Sequence, residues 1–149
     1  MNIIIEKNLF DYKNILFFEP VKNTIMNNGV FHRILYSNHL FTLNSLYFIF
    51  NLKYKFIEKY FNKIKYTYDV QYNLQEIKAF ELIEKQILEQ LKIKKNPTYK
   101  IKDLLRSSII KIFNNNPNLN IHKNIILIKI SGIWETDKEY GVTYKLLIV

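Results

Sequence analysis

Few side chains in this 149-residue sequence are equipped for bond-making chemistry. There is no cysteine, which removes a thiol nucleophile, a thiolate metal site and a disulfide framework together. The three histidines, His32, His39 and His122, have no further ligands clustered around them and read as surface or turn residues. Glu135, Asp137 and Glu139 crowd a short stretch that reads as a hairpin turn, where carboxylates are solvated. Three glycines cannot build a phosphate loop, and no nucleophile elbow occurs. The expectation is a protein that is not an enzyme and uses neither a metal nor a cofactor.

Cations and aromatic rings are plentiful instead. Lysine and arginine number 22 against 13 aspartates and glutamates, and the excess is unevenly placed. Residues 53–72 carry +3 and residues 92–122 carry +6, while residues 73–91 between them carry −2. In the second basic segment Lys92, Lys94, Lys95, Lys100 and Lys102 surround Tyr99 with no acid among them, and Arg106 follows. In the first, Lys53, Lys55, Lys59, Lys63 and Lys65 interleave with Tyr54, Tyr60, Tyr66 and Tyr68. Cations contact phosphates and rings stack on bases, which is what binding of a single strand requires. The candidate nucleic-acid-binding residues are Lys53, Lys55, Lys65, Tyr66, Tyr68, Lys92, Lys94, Lys95, Tyr99, Lys100, Lys102 and Arg106. The plain competitor is a solvated lysine face with tyrosines half sunk into a sheet. Trp134 divides in the same way, as a core anchor under a hairpin or as a stacking residue.

These residues need a scaffold, and hydrophobic periodicity indicates its parts. Residues 14–20 read as a short strand closed by Pro20, and Asn27-Asn28-Gly29 as a turn. Residues 30–36 and 40–43 form a hairpin across Ser37-Asn38-His39. Leu46, Phe48, Phe50, Leu52, Tyr54 and Phe56 alternate as one face of a long strand, and alternation resumes at Ile64, Tyr66, Tyr68, Val70 and Tyr72 after a break near 58–63. A helix is expected from Leu74 to about Lys92, with Asn73 as N-cap, Glu76 as its capping-box partner, an apolar stripe from Leu74 to Leu91, and a Glu81–Lys85 pair. Lysines 92, 94 and 95 would complement its dipole and Pro97 would stop it. Residues 98–113 mix extended and helical signals. Residues 124–134 and 140–149 form a C-terminal β-hairpin around a turn at 135–139, with Gly132 marking a bulge. One α+β, β-rich domain over 1–149 follows, a small Greek-key or OB-like barrel with one inserted helix, or alternatively a two-sheet sandwich.

Composition adds a setting. Ile, Asn and Lys dominate while Ala occurs once and Arg twice, the signature of a very A+T-rich genome, which itself favours lysine. No apolar run is long enough for a signal segment or a membrane span, so an intracellular protein without a membrane partner is expected. Three stretches, Phe-Phe-Glu-Pro-Val-Lys-Asn (17–23), residues 97–113 and residues 128–149 with their Gly-Ile-Trp and Tyr-Gly-Val-Thr-Tyr-Lys spacing, jointly resemble small proteins of nucleocytoplasmic large DNA viruses. Some of those are similar to phage-type single-stranded-DNA-binding proteins with an OB core. The resemblance implies an accessory of viral DNA replication or recombination, working in the host cytoplasm or a viral factory. Phage-type binders end in an acidic tail that recruits polymerase, whereas residues 146–149 here are Leu-Leu-Ile-Val, so that recruitment is not implied. A virion or capsid-associated protein and an organellar ribosomal or RNA-binding component are the rival expectations, with self-association open in each.

Overall fold

The computed structural model describes residues 3–23, 29–114, 116, 118–122 and 124–149. Its elements are β1 (Ile15–Phe17), β2 (Val21–Asn23), β3 (Gly29–Ser37), β4 (Thr42–Leu43), β5 (Leu46–Ile49), β6 (Tyr54–Tyr60), β7 (Lys63–Tyr68), α1 (Leu74–Glu89), β8 (Asn96–Thr98), α2 (Lys100–Arg106), β9 (Ile109–Phe113), β10 (Ile126–Glu135) and β11 (Glu139–Ile148). The turn expected at 27–29 lies outside the described residues, apart from Gly29, which opens β3.

The β-rich α+β class is borne out, as a curled half-barrel sheet, two helices and a second small sheet. In the large sheet the order is β1-β3-β10-β11-β8, with β2 and β4 also on β3 and β5 on β10. The expected C-terminal hairpin is present, β10 against β11 from Ile126↔Ile148 to Glu135↔Tyr140. Register shifts between Ile130 and Gly132, the expected bulge, and Ser131 is the extra residue. The bulge divides β10. Leu127 to Ile130 pair with β5, whereas Gly132 to Glu135 pair with β3, so one strand edge serves two partners and the sheet curls. Gly132 is required where β3 crosses, because a Cβ there would lie 2.2 Å from the His32 carbonyl oxygen.

The small sheet is antiparallel, in the order β6-β7-β9. Its inner side chains Ile64, Tyr66, Tyr68, Ile110 and Ile112 join Ile34, Leu46, Phe48, Ile128, Ile130 and Ile133 of the large sheet in one core with α1. Alternation on β7 inserts those tyrosines and isoleucines inward and turns Lys63, Lys65 and Thr67 outward.

Helix α1 presents Ile77, Phe80, Ile83, Ile87 and Leu88 to the core, as the stripe predicts, but both ends differ. The Asn73 side chain makes no cap. Its Oδ1 accepts from the Lys53 amide at 2.7 Å and its Nδ2 donates to the carbonyls of Lys53 and Asp69, fixing the chain that enters β6. Glu76 pairs with Lys7 at 2.6 Å instead of closing a capping box. The helix ends at Glu89, and Lys92 follows with φ 53°, so the expected lysines stand beyond its last turn. Pro97 lies in edge strand β8, where its missing N–H is tolerated.

A second helix, α2, was not legible as one. Buried Glu84 on α1 accepts from the backbone amides of Ile101 (2.9 Å) and Lys102 (3.0 Å), capping α2 from another helix. Burial raises the Glu84 carboxyl pKa against the lowering effect of those two amides. Glu84→Ala orphans both N–H groups and should cost about 3 kcal/mol by chemical denaturation. A raised native pKa means the folded state holds the proton more tightly, so the Glu84 contribution is greatest in acid. It falls as pH rises through the ordinary glutamate range to the native value. Comparing Glu84→Gln with the parent chain over that range should show this slope missing from the variant.

Candidate nucleic-acid interface

The positions of the candidate residues separate them into three groups. Tyr66 and Tyr68 are 1% and 2% exposed, so their expected role as stacking platforms is corrected: they face the core. The Tyr68 hydroxyl donates to the Leu105 carbonyl at 2.7 Å, and desolvation pushes its pKa up to about 12. Tyr99 is half-buried against the core.

Other candidates are occupied within the fold. Lys95 bonds Glu135 Oε1 and the Thr136 carbonyl, both at 2.9 Å. Arg106 grips Glu81 with two nitrogens, at 2.6 and 3.2 Å, in place of the expected Glu81–Lys85 pair. Lys53 lies over the Tyr72 ring at 5.1 Å, and Lys55 pairs weakly with Asp69 at 3.5 Å. Lys100 lies over Trp134, 5.0 Å from the ring centroid. Lys92, Lys94 and Lys102 are exposed, and Lys65 stands on the outer face of β7. The Lys92–Lys102 cluster is therefore not one patch of free cations.

Glu135 is not the solvated turn residue expected. Desolvation would raise its pKa, but hydrogen bonds from His32 (2.8 Å) and Lys95 hold it below the usual glutamate range. The described residues contain no group of three or more His, Asp or Glu side chains placed to hold a metal ion.

The aromatic–cation juxtaposition lies instead on the outward face of the small sheet. Register aligns three rows there, Tyr60–Lys63–Phe113, Glu58–Lys65–Lys111 and Phe56–Thr67–Ile109. Phe56, Tyr60 and Phe113 are 63%, 51% and 59% exposed, and Phe61 at the hairpin tip is fully exposed. Lys65 and Lys111 face each other directly, a repulsive pair. The one acid in these rows, Glu58, accepts from the Tyr60 hydroxyl at 2.7 Å and raises its pKa. Sequence alternation missed this face because a register shift between Tyr54 and Phe56 intervenes. The extra residue, Lys55, turns Phe56 outward from the row of Leu46, Phe48, Phe50, Leu52 and Tyr54. The accessible signal was the competing parity of Phe56, Glu58 and Tyr60.

The outer face of the large sheet also carries rings, but they are covered. Trp134 is 8% exposed yet packs apart from the main core. It rests on Gly141, where a Cβ would lie 2.7 Å from the indole, with Lys100 above. Tyr47 is covered by Lys129, 5.8 Å from its centroid. The core expectation for Trp134 holds in burial but not in place.

No family model matches the chain, and no curated protein or solved structure matches it.

Trp134 emission should be blue-shifted and poorly quenched by iodide. Lys100→Ala should raise that quenching, whereas Gly141→Ala should destabilise the fold by about 1–3 kcal/mol through overpacking. Unchanged quenching in Lys100→Ala would show that the lysine is not the cover.

Proposed function

We propose that this protein binds single-stranded nucleic acid on the outward face of the small sheet. The observation that carries the reading is the coincidence on one face of three exposed rings, Phe56, Tyr60 and Phe113, with Lys63, Lys65 and Lys111, and a fourth exposed ring, Phe61, at the hairpin tip beside them. Bare rings offer stacking surface to any base, and lysines beside them contact the backbone phosphates. An exposed apolar row on a monomer surface marks an interaction site, and the lysines give that site an anionic partner. A duplex conceals its bases, so ring stacking selects a single strand. The resemblance to phage-type binders favours DNA, in replication or recombination, over RNA. Exposed Lys92, Lys94 and Lys102 add long-range attraction that salt screens.

Titrations against single-stranded DNA, RNA and duplex DNA at two salt concentrations test the reading. Replacing Lys63, Lys65 and Lys111 together by Gln should flatten the slope of log affinity against log salt by about 2, at roughly 0.7 per phosphate contact. Phe56→Ala and Phe113→Ala should each cost about 1–3 kcal/mol of binding with the slope unchanged. Glu58→Gln should tighten binding. Because Lys65 and Lys111 repel, Lys111→Gln should leave thermal stability equal or higher. If the triple variant binds like the parent while Lys92, Lys94 and Lys102 replaced by Gln abolish binding, the site lies elsewhere. Concentration-dependent dimerisation lost in Phe113→Ala, with no affinity for any strand, would make the face a protein contact.

A further inference from the structure

At the tip of the β6–β7 hairpin lies a cavity of about 290 Å³, lined by Tyr60, Phe61, Asn62, Lys63, Lys65 and Lys111. Three of those six residues are lysines and none is acidic. No ion pair joins any of the three lysines to a carboxylate among the described residues. Lys65 and Lys111 are opposite each other, and Lys63 stands two residues along on the same face. The site is built at the end of the sheet: the chain turns at Phe61-Asn62, and the Asn114 amide donates to the Asn62 carbonyl at 2.9 Å, tying the exit of β9 to the tip.

A strand laid along the rows of rings reaches this cavity where the platform stops. An internal phosphodiester brings a single negative charge, whereas a terminal phosphomonoester brings about −1.5 to −2 near neutral pH, with three strong acceptor oxygens. Three lysines lining one cavity favour the more highly charged group, and charge-assisted hydrogen bonds strengthen the difference. We propose that this cavity takes the terminal phosphate of a bound single strand, making the small sheet a reader of strand ends. The inference rests on the single-strand reading of the same face.

The test uses the full chain and one oligothymidylate in three forms, with a 5′-phosphate, with a 3′-phosphate, and with neither, followed by fluorescence anisotropy. One phosphorylated form should bind about fivefold or more tightly than the unphosphorylated one, in keeping with the added charge. That gap should vanish in Lys111→Gln and in Lys63→Gln, while Phe56→Ala weakens all three forms alike and preserves it. Equal affinity for the three forms overturns the terminal-phosphate site and leaves the single-strand reading intact. Failure to bind any form overturns both. Thymidine monophosphate binding as tightly as the phosphorylated oligonucleotide would make the cavity a free-nucleotide site and overturn the reading of strand ends.

Discussion

The carboxylate of Glu84 is the constraint on which the arrangement of this molecule depends. It sits fully buried on the inward side of α1 and accepts two backbone N–H groups from the first turn of α2. A buried acid is tolerated only with such partners, and the first turn of a short helix has orphan donors to offer. The contact is reciprocal, since neither group is satisfied without the other. Its consequences extend from both ends of α2. Lys100 opens the helix and covers Trp134 on the large sheet. Beyond Arg106 the chain turns at Ser108, with φ 66°, and becomes β9, which carries Lys111 and Phe113 to the small sheet. Tyr68 of β7 secures the same junction by donating to the carbonyl of Leu105, and its own amide donates to that of Ser108.

Two bulges then decide which way side chains point. The one at Ser131 lets β10 serve β5 with its first half and β3 with its second, which curls the large sheet around α1. The one at Lys55 inverts β6, so that Tyr54 packs on Tyr66 inside, with centroids 4.8 Å apart, while Phe56 faces out. A single inserted residue exchanges the faces of everything beyond it, because strand periodicity is two. The exposed row Phe56, Glu58, Tyr60 exists for that reason.

The same fact explains how far the chain could be read from its residues. The C-terminal hairpin, the Gly132 bulge, the β3–β4 hairpin and the apolar stripe of α1 were legible, because each depends on local pattern. Three features were not, because distant partners settle them. Asn73 looks like an N-cap, but the Lys53 backbone claims its amide. Residues 100–106 carry no strong helical pattern, and their cap comes from Glu84, sixteen residues before α2 begins. Tyr66 and Tyr68 alternate with lysines as stacking residues would, but parity sends them into the core and leaves only the lysines outside. Of the rings expected to stack, Tyr66 and Tyr68 are therefore core residues, and the exposed rings of the same sheet are Phe56, Tyr60 and Phe113.

What separates the two ring-bearing faces is how their cations are used. On the large sheet Lys100 lies over Trp134 and Lys129 over Tyr47, so these cations and rings satisfy one another within the fold, although Lys129 also stands opposite Lys145 across β10 and β11. On the small sheet Phe56 and Phe113 are left bare, and Lys65 and Lys111 are set against each other. The bare rings forgo burial, and the Lys65–Lys111 pair weakens its strand pairing, offset in part by Glu58 opposite Lys65. On the proposed reading both costs are relieved by an anion that also carries flat apolar surface. A nucleic-acid strand with unpaired bases has both properties in every residue, which is the physical basis for proposing it as the partner of this face.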